Sequence, residues 1–318
     1  MLRPLPIAVI MLATVTAACE HAPAIAPEAA LAAVVDELDF PADAAVLVGA
    51  GDIASCEQPE GPMATAALMR AVIERAPEAL VFTTGDHAYP DGSPERFEAC
   101  YEPVWGEFNS RTVPSPGNHD YETENAEGYF GYFALFRERP EAKGNGYYDL
   151  RHGAWRIVVL NSLLPLEPRS PQLAWIDERL GGEPSRCLLA IWHHPSRSSG
   201  FHGWWPWDRG RDTDVFWKRL ARHGVDVILN GHDHVYERFA RLDADGRPHP
   251  DGARQFTVGT GGAELHPIVR QRRHSEYLTN ETYGVLVLIL HADGYEWAFV
   301  GTDGLVHDRS GEPVACSA

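Results

Sequence analysis

The chain has 318 residues, 44% of them hydrophobic and 23% charged, and its formal net charge is −18. A surface this acidic repels polyanions, which excludes nucleic acid as a partner. Lysine is confined to Lys143 and Lys218, so a phosphate-binding group in this chain has to be an arginine, a histidine or a metal ion.

The N-terminal end reads as an export signal over residues 1–18. Arg3 precedes an apolar run over 5–18 that is flanked by small residues and too short to span a bilayer. Cys19 follows Thr16-Ala17-Ala18, which resembles a lipobox with Thr16 in the usual leucine place. Lipid attachment at Cys19 and ordinary cleavage near Ala18 or Ala22 are both compatible with this segment. The expected product is exported: periplasmic, held at the outer membrane through Cys19, or secreted. Residues 19–43, rich in Ala, Pro and Glu, read as a tether, and 44–318 as one domain. Nothing in the sequence indicates an oligomeric state.

The first strand is expected over 45–50 and a helix over 63–75. A second strand spans 79–84, and Ser93-Pro94 opens a helix over 94–106, serine as cap and proline in the first turn. Strands follow at 146–150 and 154–161. Pro171 opens a helix to about 180, stopped by Gly181-Gly182. An apolar run at 188–192, a tryptophan-rich loop, a helix over 213–223 and a strand after 225 complete the alternating part. The remainder is β-rich: 234–242, 254–259, 284–291 and 295–300. Alternation followed by a β-rich end predicts an α/β fold of two packed mixed β-sheets flanked by helices.

Five apolar runs end on a metal-binding side chain. They close on Asp52, on Asp86, on Asn118-His119, on His193, and on His232 with His234 two residues later. In open α/β sheets, ligand sites lie just past the carboxyl ends of strands. Gly49-Ala50-Gly51-Asp52-Ile53-Ala54 also fits a dinucleotide fingerprint. That motif needs a helix at once, and a loop over 56–62 follows instead. Taken singly, each glycine-acid or glycine-histidine pair is an ordinary polar turn.

If Cys19 carries lipid, four cysteines remain, with three connectivities. Cys56–Cys100 and Cys187–Cys316 are favoured, the first joining the loops after the first two ligand-bearing strands and the second pinning the C-terminus. Free buried thiols are the alternative.

Together and in this order, Gly51-Asp52, Gly85-Asp86-His87-Ala88-Tyr89, Gly117-Asn118-His119-Asp120 and Gly231-His232-Asp233-His234 resemble the metallophosphoesterase (calcineurin-like phosphoesterase) family. Tyr89, three residues after Asp86, makes the chain similar to its purple acid phosphatase branch. The likeness covers about residues 45–262 and implies the family's four-layer sandwich. Ile53-Ala54 stand where many relatives have another glycine.

The resemblance implies that Asp52, Asp86, Tyr89 and His234 hold one metal ion. It implies that Asp86, Asn118, His193 and His232 hold a second, with Asp86 bridging. His119 and His202 would face substrate, and Asp120 would orient His119 or simply cap a turn. His194, which precedes a proline, is expected to be structural. Trp204, Trp205 and Trp207, with Arg209 and Arg211, read either as a pocket wall or as a packed loop.

The charges of such a site choose its ions. A phenolate at neutral or acid pH needs a strong Lewis acid, because tyrosine ordinarily ionises near pH 10. Asp52, Asp86, Tyr89 and a bridging hydroxide would carry four negative charges. Two divalent ions only cancel them, whereas a trivalent–divalent pair leaves the site positive for a phosphate anion. Iron(III) with zinc, manganese or iron(II) is the implied pair. The expected activity is hydrolysis of small phosphomonoesters by metal-bound hydroxide, with His202 as general acid. A phosphodiesterase on the same scaffold is the runner-up. A binding protein with a closed structural metal site fits less well, since His119 and His202 are surplus to ligation.

Overall fold

The computed structural model describes residues 23–134, 144–182, 185–204 and 212–317. The expected signal segment, Cys19, Trp205, Trp207, Arg209 and Arg211 lie outside the described residues.

Fourteen strands are described: β1 (Ala45–Ala50), β2 (Leu80–Thr83), β3 (Thr112–Pro114), β4 (Tyr148–His152), β5 (Trp155–Val159), β6 (Cys187–Ile191), β7 (Val227–Asn230), β8 (Tyr236–Phe239), β9 (Arg254–Val258), β10 (Ser275–Thr279), β11 (Gly284–Leu290), β12 (Gly294–Gly301), β13 (Val306–Arg309) and β14 (Val314–Ala315). They form two mixed sheets. One runs β13-β12-β11-β1-β2-β3, with β14 also paired to β12; the other runs β10-β8-β9-β7-β6-β5-β4. Within the first, β1, β2 and β3 are parallel. Within the second, β5, β6, β7 and β9 are parallel. The fold is therefore α/β, with two mixed sheets flanked by helices, as expected.

The parallel strands are buried on both faces, which is why they read as unbroken apolar runs rather than alternating ones. Period-two geometry divides their side chains between two cores. Ile157, Leu189, Ile191 and Leu229 face the other sheet and join Val48, Phe82, Val113, Val287 and Phe299 in the larger core. Val158, Leu188, Ala190 and Ile228 face outward. There they meet Leu173 and Ile176 of the helix Pro171–Gly182 and Phe216 and Leu220 of the helix Asp214–Ala221. Packing the two sheets face to face brings the carboxyl ends of β1–β3 against those of β6, β7 and β9.

Several elements differ from expectation. Residues 94–111 are one helical stretch with a wider π turn at Phe97–Tyr101, which carries Cys100. Helix Glu127–Ala134 and strands β10, β13 and β14 were not anticipated. Both favoured disulfides are present, with Cα–Cα distances of 4.9 Å for Cys56–Cys100 and 5.5 Å for Cys187–Cys316.

The tether reading needs the clearest correction. Within 19–43, helix α1 (Glu28–Val35) packs on α2 (Glu60–Arg75). Leu31, Val34, Val35 and Leu38 are buried in the main core. Ala26 N–H donates to the Thr302 carbonyl at 2.7 Å, and Arg75 pairs with Asp36 at 2.6 Å. An Ala- and Glu-rich composition is common to linkers and surface helices, so only the core-facing leucine and valines separate the two. Leu31→Ala is expected to lower the free energy of unfolding by about 2–5 kcal/mol, the usual result of emptying a buried leucine site. A change below about 0.5 kcal/mol in urea unfolding, typical of an exposed position, would return the segment to a tether.

Candidate metal centre

Asp52, Asp86 and His232 each follow a glycine at a strand end, and each has a left-handed backbone, with φ of 58°, 53° and 70°. L-residues adopt this conformation only where the surroundings over-determine it. Here the carboxylates do so. Asp52 Oδ2 accepts the His232 N–H at 2.9 Å, joining the two sheets, and Asp86 Oδ1 accepts the His119 N–H at 2.8 Å. The approach is close enough to require glycine at neighbouring positions. A Cβ on Gly117 would lie 2.2 Å from Asp86 Oδ1, and one on Gly231 2.5 Å from Asp52 Oδ2.

These contacts bring the seven expected donors together in two groups. In the first, Tyr89 Oη lies 2.9 Å from His234 Nε2, 3.2 Å from Asp52 Oδ1 and 3.3 Å from Asp86 Oδ2. In the second, His193 Nε2 lies 2.9 Å from Asn118 Oδ1 and 3.3 Å from the same Asp86 Oδ2, and the His193 and His232 rings are 5.0 Å apart. One oxygen of Asp86 thus faces both groups.

The donor chemistry fits cations. His193 Nδ1 bonds the Thr84 carbonyl at 2.7 Å, and His234 Nδ1 bonds the Glu264 carbonyl. In a neutral imidazole these bonds keep the proton on Nδ1 and turn the Nε2 lone pair inward. His193 Nε2 then meets two acceptors, Asn118 Oδ1 and Asp86 Oδ2, a contact that needs a positive charge between them. Asp52 and Asp86 are fully buried, and no arginine or lysine pairs with either among the described residues. Without an ion, protons must fill the gap. Burial opposes charge on His193, but the facing carboxylates of Asp86 and Asp52 raise it to about 9. Burial and the same two carboxylates push the Tyr89 phenol well above its ordinary range, so it ionises only beside a strong cation.

His202 sits on a short turn whose N–H groups are held by Asp233: His202 N to Oδ1 at 2.9 Å and Gly203 N to Oδ2 at 3.0 Å. Its ring is 4.2 Å from that of His232. His119 lies on the Tyr89 side, its ring 4.5 Å from Tyr89 and its Nδ1 bonded to the Pro90 carbonyl at 2.5 Å.

Asp120 does not orient His119, whose Nδ1 already has Pro90. It is fully buried beneath the site. Oδ2 accepts the Gly117 N–H at 2.8 Å and the Asp86 N–H at 3.1 Å, and pairs with His87 Nδ1 at 2.9 Å; Oδ1 takes the His87 N–H at 3.2 Å. It therefore caps the turns that carry Asp86 and Asn118.

Two histidines come closer than sequence reasoning allowed. His194, expected to be structural, bonds Ser162 Oγ at 2.8 Å, and its ring is 4.3 Å from that of His232. One ring nitrogen from each of His193, His194 and His232 lies within 4.8 Å of the others. His266 was missed. It stacks on His234 with centroids 3.7 Å apart and bonds the His234 N–H through Nδ1 at 3.3 Å. Its only sequence signal is the run 259–262, a glycine-rich end to β9 like those after β1, β2 and β7.

The model of the family described as calcineurin-like phosphoesterase matches residues 47–236, more than half of the chain. The chain belongs to that family. Among curated calcineurin-like relatives it is similar to the Fe(3+)-Zn(2+) purple acid phosphatase 12 of Arabidopsis thaliana, 26% identical over 52% of this chain and 38% of that protein. It is also similar to a phosphoenolpyruvate phosphatase of Allium cepa, 27% identical over 50% of this chain and 38% of that protein. The chain thus spans well under half the length of these relatives. Among solved structures, the purple acid phosphatase PPD1 of yellow lupin (Lupinus luteus) superposes with a TM-score of 0.65 at 19% identity, covering 85% of this chain and 53% of that one. GAP50 of Plasmodium superposes with a TM-score of 0.67 at 15% identity, covering 86% and 90%. These two likenesses are of fold.

Two variants test the supports of this site. Asp120→Ala strands three buried N–H groups and the His87 imidazole. It is expected to cost about 3–5 kcal/mol of stability in urea unfolding; a loss below about 1 kcal/mol would refute the capping role. Glu237, on β8, accepts the N–H of Ser199 at 2.8 Å and also its hydroxyl, anchoring the loop that leads to His202. Burial raises its carboxyl from 4.5 to about 7. Below pH 4.5 both folded and unfolded chains hold this proton. Between 4.5 and 7 only the folded chain does, so stability falls as pH rises through that window. Glu237→Gln removes this loss, and its stability relative to wild type should grow by about 3 kcal/mol across the window. A difference independent of pH would contradict the buried acid.

Proposed function

We propose that this protein is an exported phosphatase that hydrolyses small phosphomonoesters with a binuclear metal centre, one ion trivalent and one divalent. Asp52, Asp86, Tyr89 and His234 would hold the trivalent ion, iron(III); Asp86, Asn118, His193 and His232 would hold the zinc, manganese or iron(II). The observation that carries the reading is the position of Asp86 Oδ2, 3.3 Å from both Tyr89 Oη and His193 Nε2. A phenol beside two buried carboxylates supports the trivalent assignment, because only a strong Lewis acid makes phenolate the stable form there. When bound, the ions supply positive charge for the phosphoryl oxygens and acidify a water molecule.

The side chains around the donors divide the remaining work. His119, at the Tyr89 rim, is placed to hydrogen-bond a phosphoryl oxygen. His202, across the site, is placed to give a proton to the departing alkoxide. Its backbone is held by Asp233, which keeps the imidazole at a set distance from His232. The names of the purple acid phosphatase and phosphoenolpyruvate phosphatase relatives favour monoesters over diesters. Two disulfides support export to an oxidising compartment, alongside the signal-like N-terminal run. No described helix is long and apolar enough to cross a membrane.

Metal analysis combined with an ester panel tests the proposal. Purified protein should contain iron, absorb visible light through its phenolate ligand, and turn over p-nitrophenyl phosphate faster than bis(p-nitrophenyl) phosphate. Tyr89→Phe should remove the absorption. His202→Ala should slow alkyl esters more than aryl esters, since only the poorer leaving group needs the proton. Faster diester turnover would install the phosphodiesterase reading, and a metal-loaded protein inert toward both esters would overturn hydrolysis altogether.

A further inference from the structure

The metal centre opens on one side into a cavity of about 920 Å³, with His202 and His232 in its wall. Its lining is rich in arginine: Arg197, Arg247, Arg270, Arg272 and Arg273 all contribute. In a chain of net charge −18, five guanidinium groups around one cavity make a local reversal of sign. Among the described residues two carboxylates also line it, and both are engaged. Asp233 holds the His202 and Gly203 N–H groups, and Asp245 pairs with Arg247 at 2.7 Å. Arg197 has Asp214 at 3.7 Å. Arg270 and Arg273 are exposed to the cavity mouth and have no carboxylate partner among the described residues.

The wall is built rather than loose. Arg272 Nε donates to the Ser198 carbonyl at 3.0 Å, and its guanidinium stacks 3.7 Å over the Trp204 ring. Trp204 Nε1 in turn donates to the Arg270 carbonyl at 3.1 Å. These contacts fix the 270–273 segment against the turn that carries His202.

We propose that this cavity is an anion subsite for the leaving group, and that the preferred substrates are phosphomonoesters whose alcohol carries a second anionic group, carboxylate or phosphate. The inference rests on the phosphatase reading above. The phosphoryl group belongs at the metal donors, and the leaving oxygen belongs beside His202. Whatever is attached to that oxygen therefore enters the space beyond His202, which is the arginine-lined cavity. Guanidinium groups bind carboxylate and phosphate through charge-assisted, often paired hydrogen bonds. A neutral alcohol offers Arg270 and Arg273 no charge-assisted bond of this kind.

Two substrates of equal carbon skeleton isolate the effect: 3-phosphoglycerate and glycerol 3-phosphate, which differ by one carboxylate. The wild-type protein is expected to favour 3-phosphoglycerate in kcat/KM by about tenfold, the scale of one or two partly exposed charge-assisted hydrogen bonds. The double variant Arg270→Ala, Arg273→Ala should bring that ratio close to one. A wild-type ratio near one, or a loss shared equally by both substrates, overturns the subsite. Calorimetric titration of the metal-free protein with 3-phosphoglycerate gives a readout independent of turnover. Its Kd should rise severalfold in the double variant, and an unchanged Kd overturns the proposal. Failure of the metal-loaded enzyme on p-nitrophenyl phosphate would strike the phosphatase reading instead, and the binding measurement would still decide the subsite.

Discussion

Two carboxylates are buried where the ends of two sheets meet, and among the described residues neither has an arginine or lysine beside it. Asp52 and Asp86 are held instead by backbone N–H groups, by imidazoles and by one phenol. Buried charge without a counter-charge is costly, so this corner of the molecule is stable only if protons or cations fill it. The rest of the architecture around the site follows from that demand. The glycines bring main chains close, the left-handed backbones at Asp52, Asp86 and His232 aim the donors inward, and Thr84 and Glu264 carbonyls choose the imidazole tautomers.

The supporting layer is polar as well. Asp120 and His87 lie fully buried under the donors, His87 packed among Phe97, Tyr101, Tyr129 and Phe133. A satisfied polar pair inside an aromatic shell rigidifies the turns above it, because any displacement would strand several hydrogen-bonding groups at once. On the other side of the site, Asp233 and Glu237 do the same for the loop carrying His202. The site thus has a stiff floor on the Asp86 side and a separately anchored flap of chain on the His202 side. The arginine-lined cavity begins where that second anchor ends.

Much of this was legible in the primary structure, for local reasons. Asp52, Asp86, Asn118 and His232 each follow a glycine just past a strand, and His193 directly ends an apolar run, the pattern that parallel strands buried on both faces leave. Both favoured disulfides are present, Cys56–Cys100 joining the loops after the first two ligand-bearing strands and Cys187–Cys316 pinning the C-terminus. Other features were not legible. His266 and His194 reach the site through the packing of β9 and β6 against their neighbours, and apart from the glycine-rich run before His266 nothing local points to either as part of it. For Asp120 the sequence leaves open a partner of His119 or a turn cap, and only the fold decides for the cap, with its carboxylate turned to His87, thirty-three residues earlier. α1 looked like linker because its composition suits either state, and only a complementary surface on α2 decides between them.

What the amino-acid order determined by itself is the inventory: which side chains can donate to a metal, which runs are apolar enough to become buried strands, and that glycines precede Asp52, Asp86, Asn118 and His232. Those are properties of short stretches, set by covalent neighbours and by periodicity. Which donors share one oxygen of Asp86, which tautomer each imidazole takes, and which arginines from a remote loop look into the space beside His202 were decided only when two sheets packed face to face. Those relations depend on distances of a few ångströms between residues far apart along the chain, and only the closure of the core sets such distances.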